Sequence, residues 1–143
     1  MKITKKIREH YVDLDGIRLC YFESGREYQE EGTYLLVHAT GFHARCWDRT
    51  IDYLGEKHVV AMDIRGHGRS DKTGPYTWDV FGRDLQNFIT VLDLNNIVGA
   101  GHSMGGHSVT LAASMFPWRF ARLVLIDPVI MAPESYKGSE YIH

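Results

Sequence analysis

Cysteine is nearly missing from this chain: its 143 residues hold only two, Cys20 and Cys46. Two thiols are too few for a disulfide scaffold and suit a reducing compartment, so a cytoplasmic protein is expected. No apolar run is long enough to span a bilayer. The basic start, Met1 to His10, is followed by no apolar segment, which reads against a secretory signal. Neither sign of charge dominates: 16 Lys and Arg against 18 Asp and Glu give a net charge of -2. That balance gives no reason to expect nucleic acid or an anionic membrane as a partner. The eight histidines show no metal-ligand spacing with a carboxylate nearby, so no metal and no cofactor is expected. Internal repeats and low-complexity segments are also absent. What is present is ordinary for one globular domain, with 44% hydrophobic and 24% charged residues.

The pattern along the chain alternates between strand and helix signals. Asp15-Gly16 separates Tyr11–Leu14 from Ile17–Phe22 and predicts a tight hairpin, followed by a polar loop from Glu23 to Gly32. Thr33–Val37 and His58–Met62 are continuous apolar runs, the mark of parallel strands covered on both faces. Between them Trp47, Ile51 and Leu54 recur at helical spacing, and Gly55 is placed to end that helix. A long loop holds Gly66, Gly68 and Lys72–Pro75. Thr77 is then placed to cap a helix whose apolar face is Phe81, Leu85, Phe88 and Leu92. Leu123–Ile126 reads as one more buried strand, ending at Asp127-Pro128. A hairpin followed by strand–helix alternation predicts an α/β sheet with right-handed crossovers.

The most informative stretch is Gly99-Ala100-Gly101-His102-Ser103-Met104-Gly105-Gly106. An apolar run from Asn96 enters it and a helix-forming run, Ser108–Phe116, leaves it. Strand, sharp turn and helix in that order make a nucleophile elbow around Gly101-x-Ser103-x-Gly105, with the serine hydroxyl raised clear of the sheet. A dinucleotide-binding loop is the first alternative, but its third glycine would fall at 104, where Met104 stands. The other alternative is a serine that merely occupies a glycine-rich strand-to-helix turn.

Four segments together resemble the N-terminal half of an α/β-hydrolase-fold protein. Val37–Phe42 resembles the oxyanion loop after the third strand, although Ala39 stands where the family more often has glycine. Asp63-Ile64-Arg65-Gly66-His67-Gly68-Arg69-Ser70 resembles the loop after the fourth strand, Gly101–Gly106 the elbow, and Leu123–Pro128 the sixth strand. The resemblance implies an incomplete α/β-hydrolase fold: a mostly parallel sheet of six strands in the order 1-2-4-3-5-6, with helices on both faces. Residues 1–143 would then be a single partial domain, truncated at the start of the cap region.

The same resemblance implies a serine hydrolase acting on an ester or related small acyl substrate. Ser103 would attack the carbonyl to give an acyl-enzyme that water cleaves. The Met104 backbone N–H would be the first oxyanion donor and Thr40 the second, with Phe42 in reserve. His38 and His102 would line the substrate pocket, and Asp127 is the one candidate for the acid. His43 and His67 read as structural, and Asp63 and Asp71 as loop-forming. Serine at the nucleophile position argues against dehalogenases and epoxide hydrolases of this fold. The last strands, the cap and the triad histidine are not found after Asp127, so the expectation is a fragment, a truncated product or half of a split enzyme. A non-catalytic binding protein on the same scaffold is the alternative. An open edge at the last strand would favour association.

Overall fold

The computed structural model describes residues 5–136. Asp15 and Gly16 both take positive φ, 46° and 82°, as a two-residue type I′ turn requires. They join β1 (Arg8–Leu14) to β2 (Ile17–Ser24) as an antiparallel hairpin, with Leu14 opposite Ile17. Glu23, expected in a loop, instead continues β2, because Tyr21–Ser24 pair antiparallel with β4 (His58–Met62). The remainder of the expected loop is tightened into a 3-10 turn over Arg26–Glu31.

A row of polar side chains shows why Glu23 belongs to the sheet. His10 on β1 lies 3.1 Å from Glu23, and His58 on β4 donates to Glu23 Oε1 through Nε2 at 2.8 Å. The other nitrogen of His58 meets the hydroxyl of Thr33 on β3 (Thr33–Val37) at 2.7 Å. The His58 hydrogen bond holds the Glu23 carboxyl below its usual pKa. Three adjacent strands, β2, β4 and β3, are thus stitched across their ends by partners far apart in the chain, with His10 of β1 alongside.

The sheet has the order β1-β2-β4-β3-β5-β6, where β5 is Ile97–His102 and β6 is Phe120–Ile126. All pairings beyond the hairpin and the β2–β4 contact are parallel. The connections between parallel strands carry α1 (Asp48–Tyr53), α2 (Trp78–Val91) and α3 (Met104–Met115). Alternation along β3 divides the core. Leu35 and Val37 join Phe81, Leu85 and Phe88 of α2 and Val109 of α3 on one face. Leu36 joins Ile51 of α1, Phe22 and Ala61 on the other.

Three expectations about these elements are corrected. Thr77 occupies the cap position of α2, but its hydroxyl donates to Asp79 Oδ1 and makes no capping bond to a backbone N–H. Helix α3 begins at Met104, four residues earlier than the run from Ser108, because the elbow turns directly into it. Strand β6 is not a buried strand: Leu123, Val124 and Ile126 are 38%, 48% and 44% exposed. Among the described residues β6 pairs only with β5, and its free edge faces outward. No helix of the described residues is long and apolar enough to cross a membrane.

Candidate active site

Ser103 stands between the end of β5 and the start of α3, with φ 52° and ψ -112°. A non-glycine residue in this region is strained, and surrounding bonds must hold it there. Its N–H donates to Ile126 O at 3.0 Å, and its carbonyl accepts from the N–H groups of His107 and Val129, at 3.1 and 3.2 Å. The turn that carries Asp127, itself at φ 41°, is therefore bonded to Ser103 from both sides. Asp127 is exposed. Gly105 lets the helix approach the sheet: a Cβ there would lie 2.2 Å from Val37 O and 2.5 Å from His38 O. At Gly101 a Cβ would lie 2.4 Å from Gly105 O. The glycines on either side of Ser103 are thus demanded by close backbone contact. No hydrogen bond reaches the Ser103 hydroxyl from the described residues.

The loop after β3 lies against this turn. Phe42 N–H donates to Ala39 O at 3.1 Å and closes a tight turn over Ala39–Phe42. With that N–H committed, Phe42 is withdrawn as the reserve oxyanion donor. Its side chain is exposed and lies beside His102, ring centroids 6.3 Å apart. The Thr40 hydroxyl reaches Met104 Sδ at 3.6 Å, so the loop touches the first residue of α3 through that side chain. His102, at the end of β5, is half-buried.

His38 is not a pocket-lining residue. It is 1% exposed, with both ring nitrogens bound inside the protein. Ile64 N–H donates to Nε2 at 2.9 Å, which leaves the ring proton on Nδ1, donating to Ala39 O at 2.8 Å. Burial lowers the His38 pKa from 6.5 to about 4, so the imidazole is neutral near pH 7. The unfolded chain then binds one more proton than the folded one between pH 6.5 and about 4. Stability falls as pH drops through that window, by about 3 kcal/mol from this group at about 1.4 kcal/mol per pH unit. Urea unfolding over a pH series should show this slope in the wild type and a flatter one in His38→Asn. Equal slopes would mean that the ring is solvated in the folded state.

Asp63 and its neighbours, expected only to form a loop, brace the same region. Asp63 Oδ1 accepts from Ala44 N–H at 2.7 Å and Oδ2 from Arg69 N–H at 2.9 Å. The Ser70 hydroxyl donates to Asp63 O and accepts from Cys20 N–H on β2. Arg65 makes two 2.8 Å bonds to the buried Asp84 carboxylate of α2. The loop after β4 is therefore fastened to β2 and α2 and, through Asp63 and His38, to the loop after β3. Spacing within Asp63–Ser70 carried the signal for this loop, but its partners at 44, 20 and 84 had none.

A model of the alpha/beta hydrolase family matches residues 34–142, a span that contains all three of these loops. The chain belongs to the alpha/beta hydrolase family. Among the relatives of this α/β hydrolase, the lipase LipV of Mycobacterium tuberculosis is 34% identical over 96 residues, 67% of this chain and 37% of LipV. The mouse sn-1-specific diacylglycerol lipase ABHD11 is 35% identical over 85 residues, 58% of this chain and 28% of the lipase. The crystal structure of a bacterial membrane phospholipase A superposes with a TM-score of 0.81 at 34% identity, covering 89% of this chain and 41% of the phospholipase. This α/β hydrolase chain thus spans less than half the length of each of these three proteins. Their names support a hydrolase. A concavity of about 620 Å³, lined by His10, Glu23 and Arg26 among others, opens at the end of the sheet opposite Ser103.

Proposed function

We propose that this α/β hydrolase is a serine hydrolase of esters or related small acyl substrates, with Ser103 as the nucleophile. The observation that carries the reading is the backbone of Ser103, which is held in a strained strand–turn–helix elbow at the C-terminal end of the sheet. In this reading the hydroxyl attacks the acyl carbonyl and expels the alcohol, and water then cleaves the acyl-enzyme. Backbone N–H groups of Met104, at the start of α3, and of Thr40 stabilise the oxyanion. Asp127 is the candidate acid, carried by the turn bonded to Ser103. The two free cysteines support placement in the cytoplasm.

In this reading the base is supplied from beyond the described residues, among which no hydrogen bond to the Ser103 hydroxyl is found. Residues 1–143 would then be the first part of a hydrolase domain, or one half of a split enzyme, and the β6 edge, unpaired among the described residues, would be open to association. The same observation favours a second reading, a non-catalytic binding protein on this scaffold. Reaction of the full chain with an aryl phosphonate, followed by mapping of the adduct, tests the choice. The first reading expects slow modification confined to Ser103 and none in Ser103→Ala; modification spread over many serines would sink it.

A further inference from the structure

The Ala39–Thr40 peptide is one planar trans unit, so its C=O and N–H point in opposite directions. Whatever fixes the Ala39 carbonyl therefore aims the Thr40 N–H. Two donors converge on that carbonyl: the Phe42 N–H at 3.1 Å and the His38 Nδ1–H at 2.8 Å. The His38 ring is in turn fixed at its far side by the Ile64 N–H, at 2.9 Å. Ile64 follows directly on Asp63, whose carboxylate accepts from Ala44 N–H farther along the β3 loop and from Arg69 N–H. Thr40 meanwhile rests on Met104 through its hydroxyl. Among these contacts the imidazole supplies a side-chain restraint on the rotation of the Ala39–Thr40 peptide.

We propose that His38 is the positioning residue of the oxyanion hole: by gripping the Ala39 carbonyl through Nδ1–H it turns the Thr40 N–H toward the oxyanion formed at Ser103. This rests on the reading of Ser103 as nucleophile and Thr40 as donor. His38 touches neither substrate nor reacting atoms. Its action requires a single tautomer, with the proton on Nδ1 and the lone pair of Nε2 facing Ile64.

Two measurements on the full chain test this. The first is ¹⁵N NMR of the wild-type His38 ring, expected to show protonated Nδ1 and unprotonated Nε2; the opposite tautomer overturns the proposal, because Nδ1 could not then donate. The second is the rate of Ser103 modification by an aryl phosphonate in three proteins. His38→Phe removes the donor and is expected to slow modification on the order of 10²-fold, the lower end of the loss seen when an oxyanion donor is removed. His38→Asn keeps an N–H at the position of Nδ1 but no acceptor for Ile64, and should recover to within about threefold of wild type. If His38→Phe does not fold, His38→Asn decides alone, since a 10²-fold loss there overturns the proposal. Equal rates in all three proteins overturn it while leaving the Ser103 reading intact. Failure of the wild type to react at Ser103 removes that reading, and this inference with it.

Discussion

Assayed alone on an activated aryl ester, the 143-residue chain is expected to hydrolyse it no faster than its own Ser103→Ala variant. A neutral serine hydroxyl is a weak nucleophile, and loss of the histidine base from a complete serine hydrolase costs on the order of 10⁶ in rate. Oxyanion donors and binding can leave roughly 10³–10⁴ over water, but that remainder does not depend on the serine. Added imidazole should act as an external base and raise turnover in the wild type above the background it produces with Ser103→Ala. Light scattering on the same preparation should find associated species, because Leu123, Val124 and Ile126 are exposed on a strand whose outer edge is unpaired among the described residues. Clear Ser103-dependent turnover without added base would place the base within these residues. His102 and His43 would then be the side chains to replace, with Asp127 tested as their partner. A monodisperse monomer would remove the association expected of β6.

Gly105→Ala is expected to destabilise the fold by about 3 kcal/mol or more, at the upper end of what overpacking costs. The added methyl would sit 2.2 Å from Val37 O, 2.5 Å from His38 O and 2.6 Å from Val37 C, all main-chain atoms at the end of β3. No side-chain rotation relieves such contacts, so α3 must lift from the sheet and the Ser103 turn with it. For a chain of this size that corresponds to a fall in Tm of roughly 10 °C. Gly16→Ala is the comparison: its φ is also unfavourable for alanine, at 82°, but the space around it is open. Only the left-handed backbone penalty applies there, about 1–2 kcal/mol. Equal shifts for the two variants would show that the close approach of α3 to β3 is not what Gly105 serves.

The features legible in the sequence are those whose causes are local. Asp15-Gly16 announces its hairpin because both residues tolerate the positive φ of the turn. Gly101-x-Ser103-x-Gly105 announces the elbow because the glycines and the strained serine lie within five positions. The apolar spacing of α2 similarly predicts which face is buried. What escaped depends on partners distant in the chain. Glu23 reads as the start of a loop until His10 and His58 are seen on either side of it. His38 reads as a possible pocket wall until Ile64 is found at its Nε2. Thr77 has the right identity for a cap, yet Asp79, two residues on, takes its hydroxyl instead. Strand β6 looked buried because its composition is apolar, and composition does not record whether a neighbouring strand is present.

The bonds that hold Ser103 in its strained conformation set an order of events during synthesis. Its N–H is closed by Ile126 and its carbonyl by Val129, both well downstream of the elbow. While a nascent chain has only reached α3, the serine has the helix behind it but neither of those partners. It is then free to relax toward an ordinary backbone conformation. The strained geometry of Ser103 is therefore completed only when β6 and the turn through Val129 have emerged from the ribosome and β6 has paired with β5, so under the proposed function the serine is set for attack after the sheet that bears it.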